Sequence, residues 1–139
     1  MAFLFDTDAI SEILRRRPQP SYVRWLEAIP RDEQFASAVS VGELYKGAYR
    51  SANPEFHLGR IDSKILPAVT VLPYDAAVAR SYGEIEAHIH RRGTPLADAD
   101  LQIAATALHH GLELVTGNIR HFERVPGLAI ARALADSRR

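Results

Sequence analysis

Several oxygen-bearing side chains of this sequence lie where apolar segments end. Asp6 directly follows the first apolar run, and Glu43 lies a few residues after the second. Asp98 and Asp100 begin a later helical segment, and Asn118 follows a late apolar run. Carboxylates that lie close together repel one another unless a cation neutralises them, and Mg²⁺ prefers oxygen ligands. These residues therefore indicate hydrolysis of a phosphodiester by a metal-activated water.

Helix capping is the alternative role of these acids. Asp6 and Asp8 could cap the first helix, and Glu43 could complete a capping box with Ser40. The two acids that begin the later helix could complement its dipole. Capping does not require, however, that acids from separate segments all fall at the carboxyl ends of strands. Their joint placement favours a common site.

The apolar runs before these residues predict β-strands, and the amphipathic segments between the runs predict helices. The predicted strands are residues 2–5, 35–39, 69–72, 112–116 and 128–130. The signals that begin or end helices are Thr7-Asp8, Ser40, Asn53-Pro54, Pro67, Asp75, Arg91-Arg92-Gly93 and Gly111. Near-continuous apolar strands that alternate with helices indicate a parallel sheet covered by helices on both faces. In such folds ligands bind outside the carboxyl ends of the strands, which is where the acids fall.

The composition predicts one compact domain, residues 1–139. The chain has 139 residues, of which 47% are hydrophobic, and this is enough to bury a core without a structural metal. It has no cysteine, which excludes a disulfide scaffold, a thiolate metal site and a cysteine nucleophile. Because neither a secretory signal nor an apolar run of about 18 residues is present, we expect a cytoplasmic protein.

The charges balance overall but are unevenly placed. The 17 basic and 17 acidic residues cancel, so no global positive field indicates a nucleic-acid partner. Local basic clusters lie at residues 15–17, 91–92 and 138–139. These arginines either lie at solvated helix ends or contact phosphates. The layout permits a basic rim around an acidic centre.

Four segments, in order along the chain, carry a resemblance to a known family. They are FLFDTDAIS at residues 3–11, SAVSVGEL at 37–44 with Gly47, GTPL at 93–96 with DLQIAATA at 100–107, and LVTGN at 114–118 with Phe122 and Pro126-Gly127. On these segments the sequence resembles a PIN-domain nuclease, and specifically a VapC toxin of a bacterial VapBC toxin–antitoxin pair. The resemblance covers essentially the whole chain, and it aligns Asp100, rather than Asp98, with the family acid.

The resemblance implies a three-layer α/β/α sandwich with a central parallel sheet of four to five strands. It implies cleavage of RNA that depends on Mg²⁺ or Mn²⁺, inhibition by a cognate VapB-type antitoxin, and a homodimer. The residues that it carries over as metal-binding and catalytic acids are Asp6, Glu43 and Asp100. The residues that it places around them are Asn118 at the fourth position, with Thr7, Asp8 and Thr116 supporting the acids. We expect Asp6 and Asp100 to hold the ion, and Glu43 to ligate it directly or through water and to help take the proton from the attacking water.

Two positions depart from the family pattern. Asp8 stands where asparagine is commoner, and we expect it to orient its neighbours. Asn118 stands at a position where an acid would strengthen the binding of a second metal ion by the protein. We therefore expect one ion in the free enzyme and another that arrives with RNA. The role of Asp98 stays open at this point.

Two other functions compete with the nuclease. Asp6-Thr7-Asp8 after an apolar strand also resembles the opening motif of haloacid-dehalogenase-type phosphatases, but no late acidic pair follows, and Lys46 and Lys64 lie in no matching motif. The second alternative is a PIN-like binding module with a degenerate site, for which Asn118 is the best argument.

The aromatic residues are expected mainly in the core, with some lining an antitoxin groove; they include Tyr22, Trp25, Tyr45 and Tyr49.

Overall fold

The computed structural model describes all 139 residues and contains one parallel sheet of five strands, in the order β3-β2-β1-β4-β5. The strands are β1 (Phe3–Phe5), β2 (Gln34–Ser37), β3 (Thr70–Leu72), β4 (Glu113–Val115) and β5 (Ile130–Ala131). The central strand β1 pairs with β2 and β4, so that Phe5 lies opposite both Ala36 and Val115. The predicted parallel sheet is confirmed.

Eight α-helices connect and cover the strands. They are α1 (Thr7–Leu14), α2 (Pro20–Glu27), α3 (Ala38–Arg50), α4 (Pro54–Arg60), α5 (Ala76–Arg92), α6 (Asp98–His110), α7 (Ile119–Phe122) and α8 (Ala133–Ser137). A π-helical turn, Ile61–Ile65, and a 3-10 turn, Leu66–Ala68, follow α4, whereas the signals Asn53-Pro54 and Pro67 predict a single helix between them. Another 3-10 turn, Arg31–Glu33, precedes β2. None of the helices combines the length and the apolar character that crossing a membrane requires.

The sheet separates two apolar cores, because successive strand residues point to opposite faces. Leu4 and Leu114 belong to one core, together with buried residues of α5 and α6. Phe5 and Val115 belong to the other core, which is completed by buried residues of α1, α2, α3 and α8. Helices therefore cover both faces of the sheet, which confirms the predicted three-layer α/β/α sandwich.

The start of α3 differs from the prediction. The hydroxyl of Ser37 accepts a hydrogen bond from the backbone N–H of Val39 at 3.0 Å, so that Ser37 caps the helix and Ala38 begins it. Ser40, the predicted cap, lies inside α3, where its hydroxyl is buried without a hydrogen-bond partner. The proposed capping box of Ser40 and Glu43 is therefore wrong, because the helix begins three residues earlier than the box requires.

Several other helix ends lie where the sequence signals predict them. Asp75 caps α5 by accepting a hydrogen bond from Val78 N–H at 3.0 Å. Gly93 and Gly111 end α5 and α6 with φ angles of 69° and 65°, the left-handed conformation that favours glycine. The last strand, β5, begins two residues later than predicted, and the sequence did not predict α8 at all. The C-terminal helix is the element that sequence reasoning missed.

Truncation of Leu114 tests the central role of β4 in the core. Leu114 is 0% exposed, and Leu114→Ala should lower the free energy of unfolding by about 2–5 kcal/mol because it leaves a cavity. Val71→Ala on the outer strand β3 is the matched control, since Val71 is 39% exposed; it should cost less than about 1 kcal/mol. Urea unfolding measures both changes, and equal losses would contradict the assignment of Leu114 to the core.

Candidate active site

Asp6 lies at the junction of β1 and α1, where it serves both elements. Its backbone N–H donates to the carbonyl of Val115 at 3.0 Å and so continues the pairing of β1 with β4. Its side chain accepts a hydrogen bond from Ala9 N–H at 2.7 Å and caps α1. The residue is only 5% exposed. Capping is therefore a real role of Asp6, and the same geometry fixes its carboxylate at the carboxyl end of the central strand.

Burial dominates the electrostatics of Asp6. It raises the pKa of Asp6 to about 7, although hydrogen bonds from the Thr116 hydroxyl and from Ala9 N–H favour the charged form. The charges of Asp8 and Asp100 raise the pKa further, because they lie near enough to repel a carboxylate at this position. Asp6 therefore needs a nearby cation to remain fully ionised at neutral pH.

Thr116 and Asn118 follow β4 beside this junction. Thr116 is fully buried, and its hydroxyl oxygen accepts a hydrogen bond from Asn118 N–H at 3.0 Å. The hydroxyl proton is thereby free to point towards Asp6. Asn118 caps α7, but its side chain makes no capping hydrogen bond and is exposed. The predicted support of Asp6 by Thr116 thus has a geometric basis, and Asn118 offers a free amide at the same edge of the sheet.

Glu43 is held by Thr7, the residue after Asp6. The Thr7 hydroxyl donates to the Glu43 carboxylate at 2.5 Å and joins the first residue of α1 to the middle of α3. Glu43 is partly exposed, unlike Asp6. Since Ser37 rather than Ser40 caps α3, Glu43 has no capping duty, and its carboxylate is available at the site.

Asp100 approaches the site from the first turn of α6. Its carboxylate lies 2.8 Å from the Nε2 atom of His121 on α7. Sequence reasoning missed His121; the only available signal was its position one helical turn after Asn118. Asp100 and Asp6 are close enough for their charges to interact, and the structure therefore brings these two predicted acids together.

Asp98 and Asp8 have partners of their own. The Tyr82 hydroxyl on α5 donates to Asp98 at 2.8 Å, and this hydrogen bond raises the pKa of Tyr82 to about 12. Asp98 is thus tied to α5, whereas Asp100, two residues on, interacts with Asp6. Asp8 forms a bidentate ion pair with Arg138, with oxygen–nitrogen distances of 2.8 and 3.1 Å.

The predicted acids share one edge of the sheet without forming a compact cluster. No group of three or more histidine, aspartate or glutamate residues is arranged to hold a metal ion. Because like charges repel, each carboxylate is satisfied by a separate donor: Ala9 N–H for Asp6, Thr7 for Glu43 and His121 for Asp100. The donors are oxygen-rich, and burial disfavours the charge of Asp6. The chemistry of this donor set fits a hard divalent cation, which prefers oxygen ligands.

A groove adjoins Glu43 on the surface. It has a volume of about 370 Å³ and lies between α1, α3 and α4. Thr7 and Glu43 line it at the acidic site, and Arg15, His57 and Arg60 contribute basic groups. The apolar part of its lining consists of Leu14, Leu44, Ala48 and Ile61. A bound molecule in this groove would contact the acidic site directly.

Comparison with known proteins defines the family. The model of the PIN domain matches residues 3–128. The chain is 35% identical over 133 residues to "Ribonuclease VapC2" of Haemophilus influenzae, covering 92% of this chain and 95% of that protein. It is 37% identical over 128 residues to "tRNA(fMet)-specific endonuclease VapC" of Shigella flexneri, with the same coverage.

A solved structure agrees with these relatives. The structure of DNA-bound VapBC from Salmonella typhimurium superposes with a TM-score of 0.86 at 32% identity, covering 94% of this chain and 97% of that one. The fold and the sequence together define the class as the PIN domain. The chain belongs to the PIN-domain family and, within it, to the VapC ribonucleases.

The pH dependence of stability tests the burial of Asp6. Without divalent cations, the pKa of Asp6 is about 7 in the folded protein and 3.8 in the unfolded chain. Between these two values Asp6 is mainly protonated in the folded state and mainly ionised in the unfolded state. Stability of the wild type therefore falls as the pH rises through this window. Asparagine at position 6 does not titrate. The free energy of unfolding of Asp6→Asn, relative to that of the wild type, should therefore rise by up to about 4 kcal/mol as the pH rises between the two pKa values.

Urea unfolding in EDTA at a series of pH values measures this difference. Asp32→Asn is the matched control, because Asp32 is exposed on the 3-10 turn before β2. A pH dependence of Asp6→Asn parallel to that of the wild type would contradict the burial argument.

Proposed function

We propose that this protein is the toxin of a toxin–antitoxin pair, an endoribonuclease that requires a divalent cation, preferentially Mg²⁺. The observation that carries the proposal is the buried carboxyl of Asp6 at the carboxyl end of the central strand, with Asp100 near it. Its burial makes a negative charge unfavourable there without a cation. The relatives named ribonucleases and endonucleases, at 35% and 37% identity, support RNA as the substrate.

The residues divide the work as follows. Asp6 and Asp100 would hold the ion, which when bound would make the attacking water more acidic and neutralise charge on the phosphate. Glu43 accepts the proton of the attacking water. Thr7 orients the Glu43 carboxylate through its 2.5 Å hydrogen bond. Thr116 favours the charged form of Asp6 through its hydroxyl.

Asn118 belongs to the fourth position of the proposed site. A neutral amide contributes an oxygen ligand but no charge, so we expect the free protein to hold one ion and a second to arrive with the RNA. Arg15, in the groove beside Glu43, and the exposed pair Arg91 and Arg92 are the arginines we assign to phosphate contacts. Their contribution should weaken as salt concentration rises.

The cognate partner is an antitoxin of the VapB type. The Salmonella relative was solved as VapBC, and the groove beside Glu43 is the surface that we assign to the antitoxin. Two of the four exposed large hydrophobic residues, Tyr49 at 68% and Phe56 at 53%, lie on α3 and α4, the helices that border this groove. Tyr22, by contrast, is fully buried. The expected homodimer is part of the same proposal.

Asparagine variants test the assignment of the acids. Asp6→Asn and Asp100→Asn should lower Mg²⁺-dependent cleavage of RNA at least about 100-fold because each removes a charged ligand, and Glu43→Gln at least about 10-fold because it removes the base. Glu55→Gln, an exposed acid on α4, is the matched control. Cleavage of end-labelled initiator tRNA, with and without EDTA, measures the change.

Three experimental results separate the competing functions. Full activity of Asp6→Asn would overturn the site assignment. A wild-type protein that folds and binds the antitoxin but cleaves no RNA with Mg²⁺ or Mn²⁺ would identify a degenerate binding module. Trapping of a phosphorylated Asp6 would instead identify the phosphatase chemistry.

A pair of glycine variants tests the antitoxin groove. Gly47 on α3 lines the groove, and a Cβ atom at Gly47 would meet no other atom within 4 Å. Gly47→Arg should therefore fold and obstruct the groove, reducing co-purification with the adjacently encoded antitoxin about 10-fold or more. Gly83→Arg on α5 is the matched control, because Gly83 is equally open and lies outside the groove. Equal co-purification of both variants would place the antitoxin elsewhere.

A further inference from the structure

A C-terminal arginine reaches back to the first helix. The guanidinium of Arg138 donates to both carboxylate oxygens of Asp8, at 2.8 and 3.1 Å, and to Glu12 at 2.7 Å. Asp8 and Glu12 lie one turn apart on α1, so a single guanidinium can bind both. Planar, bidentate pairing of this kind fixes the orientation of the carboxylate as well as its charge.

Glu12 makes this contact more than a surface ion pair. It is 0% exposed, and its second oxygen accepts a hydrogen bond from Gln19 N–H at 3.0 Å. Burial alone would raise the pKa of Glu12, but Arg138, Gln19 N–H and Arg15 together lower it. Arg138 is therefore held by a buried carboxylate that is ionised, and through it Asp8 is held too.

The ion pair also packs against the loop that carries Thr116. A Cβ atom added to Gly117 would overlap both the Arg138 guanidinium and the Asp8 carboxylate. Gly117 lies between Thr116, whose hydroxyl interacts with Asp6, and Asn118. The pair thus lies directly against the turn that presents two of the proposed site residues.

Arg138 is supplied by the segment that follows the last helix, α8. The PIN-domain match ends at residue 128, whereas Arg138 follows α8, which is anchored in the core by the fully buried Leu134. Arg138 and Asp8 are separated by 130 residues of sequence. The contact therefore joins the C-terminal segment to the first helix.

We propose that Arg138 is a positioning residue of the metal site: by pairing with both carboxylate oxygens of Asp8, it keeps that carboxylate away from the ion. The proposal rests on the proposed function, since it concerns the same site. Three acids belong to or cap α1, namely Asp6, Asp8 and Glu12. Arg138 neutralises the latter two, so that Asp6 is left as the acid of this helix available to a cation.

Binding of Mn²⁺ tests the proposal independently of catalysis. The loss of the free Mn²⁺ signal in electron paramagnetic resonance gives the dissociation constant without RNA. Arg138→Met removes a positive charge and frees Asp8, so it should tighten Mn²⁺ binding by about threefold or more. Adding Asp8→Asn to Arg138→Met should return the affinity to the wild-type value. Arg139→Met is the matched control: Arg139 pairs with Asp136 at 3.9 Å and forms no ion pair with α1.

Unchanged affinity of Arg138→Met, or a gain that Asp8→Asn does not reverse, would overturn the proposal. Because Arg138→Met leaves the buried Glu12 without this cation, Asp8→Asn alone provides a second, milder test. It retains the Arg138–Glu12 contact but removes one negative charge near Asp6, so it should weaken Mn²⁺ binding by no more than about threefold. A loss of about tenfold or more would identify Asp8 as a ligand.

Failure of the proposed function would look different. A wild-type protein that binds Mn²⁺ with the expected responses to Arg138→Met and Asp8→Asn but cleaves no RNA would overturn the proposed function and support the role of Arg138. Mn²⁺-dependent cleavage of RNA, with Mn²⁺ binding that does not respond to Arg138→Met, would support the proposed function and overturn the role of Arg138. A wild-type protein that binds no Mn²⁺ would overturn both.

Discussion

The buried carboxylate of Asp6 is the constraint on which the rest of the site depends. The chain runs from β1 outward through β2 and β3, and then crosses to the other side of β1 for β4 and β5. Asp6 therefore lies where the strand order reverses, the position at which open parallel sheets bind their ligands. Glu43, Asp100 and Asn118 reach this position because each follows a neighbouring strand or lies in the first turn of a helix that begins at the same edge.

One side chain thus satisfies both a structural and a chemical requirement. By capping α1, the Asp6 carboxylate completes the turn between the central strand and the first helix. By being buried, it becomes a charge that the folded protein tolerates poorly without a cation. Stability and chemistry are opposed at this position, and such opposition is typical of functional sites. The two cores on either face of the sheet supply the stability that this arrangement costs.

Local patterns were sufficient to predict the sheet and most helix ends. Apolar runs identify the strands, and Gly93 and Gly111 identify helix ends because their left-handed conformation is specific to glycine. The same patterns predict Ser40 as the cap of α3, whereas Ser37 caps it; two serines three residues apart carry the same local signal. Sequence reasoning predicted that Asp6, Glu43, Asp98 and Asp100 lie at one edge of the sheet, and the family resemblance selected Asp100 over Asp98. Neither could predict His121 or Arg138 as partners, because those contacts depend on how distant helices pack.

The distance in sequence between Arg138 and Asp8 has a consequence for synthesis. A ribosome releases α1 long before it adds Arg138, because 130 residues separate the two partners. At about 5–20 residues per second, the delay is on the order of ten seconds. During that interval the nascent chain holds the acids of its first helix without their arginine. The arrangement described for the complete fold therefore forms only once translation of the chain is nearly finished.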